Sequence, residues 1–523
     1  MRAFVRVGFA VLLSGAAFGQ AAESTPKFDL ADVHASAKGG NNNVSGGILR
    51  DARYDLRNAT IVDLIQIAYS LDDSKKIVGG PNWLDTDRFD IAAKAPPDTQ
   101  PETIKLMLQA LLADRFKLVV HMDSKPMSVF VLSLGKGKPK LKESDGKGES
   151  NCQGQPQNRE TGEIPYQMVA CRNMTMEQFA QRFGMAGNYV TAPGVDQTGL
   201  KGAWDFDIKW TGRGQLAAAG SNGITFFDAI DKQLGLKLEP GRLPMPVLVV
   251  DSVNQKPTDN SPGVTSNLPP PPPPEFEVAS IRPSAPDARE NFQVRNGRVD
   301  LQAARLKDLI EFAWNVESDD FIADGPKFLD SAKFDVIAKA SSAQVDDEDL
   351  RLMTRALLVD RFKMATHMET RTISVYTLSS AKPKLQKADP ANRSACGNGP
   401  GPDGKDPRLT NPVNARLVTC LNTTMAQLAA SFQNFAGGYI HNSVVDATGI
   451  EGAYDFTLNF AAAGVANGRG RGGDAAGDGA ADPSGAISLF DAVNKQLGLK
   501  LEQQKRPVPV LVIDHVEEKP TDN

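Results

Sequence analysis

Three aspartates recur beside a phenylalanine in strand-like segments, and paired carboxylates are the groups that general acid–base chemistry requires. They are Asp90, Asp207 and Asp335. At the fourth comparable place the sequence has Thr457, and the neighbouring apolar residues alternate as they do in a half-buried strand. Because carboxylates must converge to share a proton transfer, the pattern favours aspartates on the polar face of a strand. We therefore assign no catalytic residue.

Two histidines, His121 and His367, follow an Arg-Phe-Lys step at the same spacing and could act as bases or metal ligands. Each has an acidic neighbour two positions later, Asp123 and Glu369, and this pattern favours a structural histidine. Five histidines without a His-Glu-x-x-His motif predict no zinc site. The hydrolase elbow Gly-x-Ser-x-Gly and the phosphate-binding glycine patterns are missing from the sequence, so we predict no cofactor and no metal.

Arg115 and Arg361 each end a predicted helix, where a cation interacts favourably with the helix dipole. This interpretation is favoured over an anion-binding site. The glycine-rich run at 469–474 lies in low-complexity sequence and is not interpreted as a phosphate loop. The nearby Asp474, Asp478 and Asp482 lack the spacing of a calcium loop.

Six aromatic residues could line a groove, but they lie at helix and strand positions with apolar periodicity, which favours the core. They are Trp83, Trp204, Trp210, Trp314, Tyr189 and Tyr439.

The four cysteines are Cys152, Cys171, Cys396 and Cys420, an even number that favours disulfides in an exported chain. Metal binding is the competing interpretation, and the absence of Cys-x-x-Cys spacing weakens it. The sequence consists largely of two long repeats, and each repeat contains two of the cysteines. This predicts the pairs Cys152–Cys171 and Cys396–Cys420. Closing a loop of about twenty residues would stabilise each repeat by about 3 kcal/mol.

The first residues have the form of a signal peptide, predicted at 1–19. Arg2 and Arg6 precede an apolar stretch that is short for a membrane span, and Ala17 and Gly19 have the spacing of a cleavage site. An N-terminal membrane anchor is the alternative. The prediction is a periplasmic or extracellular protein with no integral membrane span after cleavage.

A net charge of -5 without a sustained basic stripe makes nucleic acid an unexpected partner. The 41% hydrophobic and 23% charged composition is that of a globular protein, and 523 residues are enough for several domains.

The elements that position these residues occur twice, because the sequence repeats itself over a long period. The segments at 111–117 and 357–363 share Leu-Leu-x-Asp-Arg-Phe-Lys, and those at 232–239 and 495–502 are identical. We predict a first module at 26–258 and a second at 275–523. The prolines at 269–274 make the segment at 259–274 a linker, with a polyproline rod of about 19 Å at ~3.1 Å per residue. A glycine-, alanine- and aspartate-rich insertion at 464–485 is predicted to be flexible.

Each module itself divides into two similar halves, with helix, strand, strand, helix and strand in the same order from 59 to 134 and from 173 to 253. The run at 89–91 resembles that at 206–208, and the helix-to-strand junction at 116–118 resembles 236–238. The predicted fold class is α+β. Two homologous modules are each built from two βαββα-like half-units, with small mixed sheets and packed helices.

These repeated motifs resemble a soil-associated exported bacterial family of unknown function. The resemblance rests on the Gly-Gly-Pro-x-Trp-Leu-Asp run at 79–85, the Leu-Leu-x-Asp-Arg-Phe-Lys helix end and the Val-Leu-Val-x-Asp finish, and Phe328 replaces Trp83 in the second copy. The family resemblance supports the predicted fold and the predicted export, and it supplies no catalytic residue. More distantly, each half is similar to the short N-terminal domains of secretins and TonB-dependent receptors, which implies a partner that is an envelope protein or peptide.

The expected function is that of a non-enzymatic binding or adaptor protein of the cell envelope, with two modules offering paired surfaces. The alternatives are an exported hydrolase with its site in a module cleft, and a structural protein of the envelope.

Overall fold

The computed structural model describes residues 25–37, 44–155, 166–271, 274–316, 318–343, 345–389, 393–401, 405–411, 413–466 and 485–521. The predicted signal peptide and most of the insertion at 464–485 lie outside these residues.

The first module contains twelve strands and five helices among its described residues, in two successive halves with matching element order. The first half comprises β1 Leu30–Ala35, β2 Ser45–Arg50, β3 Arg53–Thr60, α1 Ile61–Ala68, β4 Ile77–Gly79, β5 Arg88–Lys94, α2 Pro101–Arg115 and β6 Val119–Leu134. The second half comprises β7 Lys142–Glu143, β8 Asn151–Gly154, β9 Tyr166–Met174, α3 Met176–Gln181, β10 Gly194–Asp196, β11 Trp204–Thr211, α4 Leu216–Ala219, α5 Phe226–Ala229 with the π-helical turn Ile230–Leu234, and β12 Leu236–Ser252.

The second module, preceded by α6 Val264–Asn267, repeats this order. Its first half comprises β13 Val278–Pro283, β14 Asn291–Arg295, β15 Arg298–Arg305, α7 Leu306–Trp314, β16 Ile322–Ala323, β17 Lys333–Lys339, α8 Asp347–Arg361 and β18 Ala365–Ser380. Its second half comprises β19 Gln386–Lys387, β20 Ala395–Asn398, β21 Arg416–Thr424, α9 Met425–Ala436, β22 Val444–Ala447, β23 Ala453–Phe460, α10 Ala463–Ala466, α11 Leu489–Ala492 with the π-helical turn Val493–Leu497, and β24 Leu499–His515.

Short 3-10 helices connect these elements at Ser74–Lys76, Asn82–Asp85, Phe183–Tyr189, Arg213–Gln215, Gly220–Asn222, Asp319–Phe321, Lys327–Asp330 and Pro407–Leu409.

The half-units share one sheet topology, which confirms the predicted α+β fold of two modules with paired halves. The outer sheets of the first module have the orders β1-β5-β3-β2 and β7-β11-β9-β8, and those of the second module have the orders β13-β17-β15-β14 and β19-β23-β21-β20. Position by position, these four orders are the same. The amphipathic spacing of residues 350–362 and the alternation at 454–460 correspond to α8 and β23.

A third sheet joins the two halves of each module and contains the longest strands. In the first module its order is β10-β6-β12-β4, with β6 and β12 antiparallel along their whole length. The last strand of each half crosses into the other: β12 pairs with β4, and β6 pairs with β10. Leu248 and Val250 of β12 therefore lie in the core of the first half, whereas Phe130 and Leu132 of β6 lie in that of the second.

The helix-to-strand junctions of the two halves align differently from the sequence-based match. Lys117 follows α2 at φ 51°, and Gly235 follows the π-helical turn at φ 68°. Leu118 and Leu236 come next, and both are buried. The counterpart of 116–118 is therefore 234–236 and not 236–238, because the left-handed residue marks the end of the helix in each case.

The two modules contact each other. Arg393 of the second module donates to Asp85 of the first, with Nη2–Oδ1 at 2.6 Å, and both side chains are largely buried. The N-terminal turn of α8 packs on β2, where Arg50 pairs with Asp349. The segment after Asn260, predicted to be linker, packs on the first module: α6 lies against β1, and the Thr265 hydroxyl donates to Oδ2 of Asp32 at 2.9 Å. The prolines that follow thus join modules that touch, whereas the sequence predicted a spacer between them.

Candidate functional site

Two of the three aspartates that first suggested chemistry, Asp90 and Asp335, stabilise a β-bulge that recurs in all four half-units. In each bulge an aspartate accepts a hydrogen bond from the backbone N–H of a residue with positive φ on the adjacent strand. The pairs are Asp90 with Asn58 (2.7 Å), Asp205 with Asn173 (2.9 Å), Asp335 with Ala303 (2.9 Å) and Asp455 with Asn422 (2.7 Å). Asp90 and Asp335 also accept from Ser36 and Ser284, both at 2.6 Å. Each bulge lies just before the first helix of its half-unit.

The pairing register corrects two sequence-based equivalences. In the second half of the first module the bulge lies opposite Asp205, and Asp207 instead pairs with Arg172 at 2.7 Å on the surface. In the second module the bulge lies opposite Asp455 and not Thr457. The error arises because Asp205 and Asp207 both follow an aromatic residue, so a short Phe-Asp match fits two registers. An aspartate is present at all four positions.

Arg115 is buried at the end of α2 and binds the segment that follows the first module. Its guanidinium donates to the carbonyl of Thr258, to Oδ1 of Asn260 at 2.7 Å and to the carbonyl of Ala31 at 3.2 Å. Burial lowers the pKa of Arg115, and Asp114, Asp32 and Asp259 oppose this shift. The Arg115 side chain therefore holds the segment at 258–260 against the first module, a contact that the helix-dipole interpretation did not include. The backbone contact at this place is the same in both modules. Thr258 N–H donates to the Arg115 carbonyl and Thr521 N–H donates to the Arg361 carbonyl, both at 2.8 Å.

The two equivalent histidines each pair with an aspartate across the long ladder. His121 Nδ1 lies 2.8 Å from Oδ2 of Asp251, and His367 Nδ1 lies 2.9 Å from Oδ2 of Asp514. In the sequence the acidic neighbours of these histidines are Asp123 and Glu369. The structure instead selects the aspartate at the end of the repeated Val-Leu-Val-x-Asp finish, because that residue lies on the adjacent strand. All four side chains are exposed.

These pairs lie on a part of the long ladder that we call the central ribbon: residues 119–128 with 241–252 in the first module, and 365–374 with 504–515 in the second. Its residues from β6 and β18 are mostly exposed, whereas those at 247–250 and 510–513 are mostly buried. Both ribbons carry the sequence histidine, methionine, acid, hydroxyl and base, at 121–125 and 367–371. Met122 is 61% exposed and Met368 is 60% exposed. A position-by-position comparison of the two copies reveals this motif in the sequence, where the histidine and the acidic residue alone had suggested a site.

The polar side chains of the ribbon are held by ion pairs. Lys125 Nζ lies 3.1 Å from Oδ2 of Asp123 in the first module. In the second, Arg371 donates to Glu369 at 2.8 Å and to both carboxylate oxygens of Asp324. These hydrogen bonds raise the pKa of Arg371 above its ordinary value and lower that of Asp324. The ribbons therefore share a pattern of alternating charge.

Prolines lie along β12 and β24 where those strands form the ribbons. Pro244 and Pro246 in β12 correspond to Pro507 and Pro509 in β24, and Pro244 faces Pro126 across the ladder. Proline lacks the N–H that a further strand would need, so these residues discourage edge-to-edge pairing. Contact with another molecule would thus use the side chains of the ribbon.

The aromatic residues and the cysteines that the sequence suggested as candidates lie in the packed cores and the sheets. Tyr189, Tyr439 and Trp210 are buried, and the other three tryptophans pack against the cores. Tyr189 and Tyr439 donate to the carbonyls of Thr211 at 2.8 Å and Ala461 at 3.1 Å. Cys152 and Cys171 face each other across β8 and β9, as do Cys396 and Cys420 across β20 and β21, with both pairs at disulfide distance. The glycine-rich run and its aspartates lie outside the described residues.

Among the residues that the structure describes, no group of three or more His, Cys, Asp or Glu side chains is placed to hold a metal ion. Within the same residues, no helix combines the length and the apolar character needed to cross a bilayer.

The chain belongs to the family described as "Protein of unknown function (DUF3738)". The match covers residues 62–253 and 307–516, one segment in each module, and so confirms an uncharacterised domain present in two tandem copies. No curated protein and no solved structure matched the chain.

Proposed function

We propose that this protein is an exported, non-enzymatic binding or adaptor protein of the cell envelope that presents one binding surface twice, on its two central ribbons. The observation that carries the proposal is the recurrence of the exposed His-Met-acid-hydroxyl-base motif in both modules. Methionine adapts its shape to varied partners, and the flanking charges add orientation. Its partner would be an envelope protein or peptide, as the resemblance to secretin and TonB-dependent receptor domains implies.

The periplasm or the extracellular space is the proposed compartment. Two cysteine pairs at disulfide distance fit an oxidising environment. Sequencing the N-terminus of protein recovered from its native host tests export: we expect a start near Gln20, and a retained Met1 would contradict cleavage.

The binding proposal is tested by capturing envelope proteins on the immobilised mature chain. Met122→Glu and Met368→Glu place a charge at the centre of each ribbon. Because two linked sites gain avidity, each single variant should weaken capture by about 100-fold, and the double variant should abolish it. Val359→Glu, an exposed residue on α8, is the matched control. Undiminished capture by the double variant would reject the ribbons as the binding surface.

A hydrolase is the second candidate, and one observation favours it: an aspartate paired with a histidine, as at His121–Asp251, can orient an imidazole for general-base work. The cleft beside Arg115, of about 240 Å³, is lined by other residues, among them Asp114, Asp259 and Lys27. A hydrolase that used the His121–Asp251 pair would act on the open ribbon rather than in a module cleft. Ester and peptide turnover that disappears in the double variant His121→Ala/His367→Ala would support this candidate over binding.

A further inference from the structure

The edge strand β2 of the first module is covered by the second module. The N-terminal turn of α8 packs on it, Arg50 pairs with Asp349, and Arg50 Nη2 lies 3.7 Å from Oδ2 of Asp346. Leu49 of this strand packs against the core of its own half-unit. Strand β2 is consequently half-buried along most of its length.

Strand β14 holds the same position in the second module and is uncovered. It too is the edge of its sheet, and it ends in the same hairpin: Arg295 faces Arg298 as Arg50 faces Arg53. All five of its residues are exposed. Phe292 is 64% exposed and Val294 is 39% exposed.

Helix α2 of the first module is the counterpart of α8, since both end in Arg-Phe-Lys with the lysine at positive φ. Leu106 of α2 is 43% exposed, whereas Leu352, at the same position in α8, is half-buried. Two exposed carboxylates, Asp98 and Glu102, lie at the start of α2. Within the part of the chain that the structure describes, the first module thus has an α8-like helix that covers no strand of the other module, and the second has a β2-like strand that no helix covers.

We propose that the chain associates head to tail with a second copy of itself, α2 of one molecule docking on β14 of the next. This contact repeats between molecules the one that α8 and β2 make within the chain. Phe292 and Val294 would bury against Leu106, and Arg295 would face Asp98 and Glu102. Two different surfaces are joined, so the interface is heterologous and continues into a ring or an open chain of molecules.

A second copy fits these surfaces because each molecule supplies one of each, with complementary apolar area and charge. The charge match is weaker than within the chain, since α2 has Gln100 and Thr103 where α8 has Asp346 and Asp349. Association should accordingly depend on concentration and decrease with added salt.

Sedimentation velocity of the mature protein over a concentration series tests the proposal. Wild type should shift to larger species as concentration rises. Phe292→Glu and Leu106→Glu should each shift the midpoint of association at least ~tenfold to higher concentration. Both residues are exposed, so thermal unfolding of the variants should match wild type. Wild type that sediments as a monomer throughout would overturn the inference.

Mixing the two variants gives the decisive measurement. Phe292→Glu keeps an intact α2, and Leu106→Glu keeps an intact β14. These two surfaces can form one interface, and the surfaces left over in the resulting dimer both carry a substitution that blocks further association. An equimolar mixture should produce dimers and nothing larger. A mixture no heavier than its components would reject this pairing of surfaces. Met122→Glu/Met368→Glu should associate normally, so that loss of envelope capture and loss of self-association are separate outcomes.

Discussion

The carboxylate of Asp455 accepts a hydrogen bond from the backbone N–H of Asn422 at 2.7 Å, and Asn422 holds a φ of 43°. The same relationship joins Asp90 to Asn58 in the first half-unit. In every half-unit the bulged residue lies two positions before the N-cap of the helix that follows. The aspartate thereby stabilises the bulge that lies directly before the N-cap of the next helix.

Asp455→Ala should destabilise the second module by about 1–3 kcal/mol, because it leaves the N–H of Asn422 without its acceptor. The measurement is denaturant unfolding of the mature protein. Thr457→Ala is the control, since Thr457 is exposed on the same strand and its loss should change stability by less than about 0.5 kcal/mol. Equal effects of the two substitutions would contradict the assignment of Asp455 as the bulge residue.

Arg115→Met should release the segment that follows the first module. Its buried guanidinium donates to Thr258, Asn260 and Ala31, and losing hydrogen bonds to a charged group costs about 1.5–3 kcal/mol. Hydrogen exchange should accelerate at the Thr258 amide, which donates to the Arg115 carbonyl at 2.8 Å. Lys256→Met, an exposed change in the same segment, should leave exchange unaltered.

The stability of the second module should fall as pH rises from about 4.5 to about 7. Burial raises the pKa of Glu311 from 4.5 to about 7, and so does the hydrogen bond that its protonated carboxyl donates to the Asp319 carboxylate. In that window the folded protein retains a proton that the unfolded chain has lost, so raising the pH favours unfolding. Below the window Glu311 is protonated in both states, and above it in neither.

Glu311→Gln should flatten this pH dependence, whereas Glu451→Gln, at an exposed residue, should preserve it. Urea midpoints measured at several pH values between 4 and 8 would show whether Glu311 causes the pH dependence of stability. A slope unchanged in Glu311→Gln would show that another group titrates.

Lys117→Gly should stabilise the first module by about 1 kcal/mol, because Lys117 holds a left-handed conformation that costs L-residues 1–2 kcal/mol. Gly235→Ala should destabilise it, since an added Cβ would lie 2.7 Å from the carbonyl oxygen of Lys138. Thermal melts test both changes. Lys117→Ala retains a Cβ, so it should not raise the stability of the first module.

Local sequence signals predicted the parts of this protein that depend on local chemistry. The amphipathic spacing at 350–361 is enough to indicate α8, and the spacing of Thr424 and Gln427 is that of the capping box which they form. The repeat predicted the cysteine pairing, because each copy contains only two cysteines. Long internal identities predicted the two modules, and the repeated order of helices and strands predicted their halves.

Tertiary structure alone decided which residues meet across strands. His121 pairs with Asp251 because β6 and β12 run side by side, although 130 positions separate the two residues. Short motifs such as Phe-Asp fit two registers, and only the ladder with its bulge identifies Asp205 and Asp455. The exchange of last strands between halves, and the covering of β2 but not β14, follow from packing of distant segments. Sequence periodicity carries no information about such contacts, because it records which face of an element is apolar and not which element covers it.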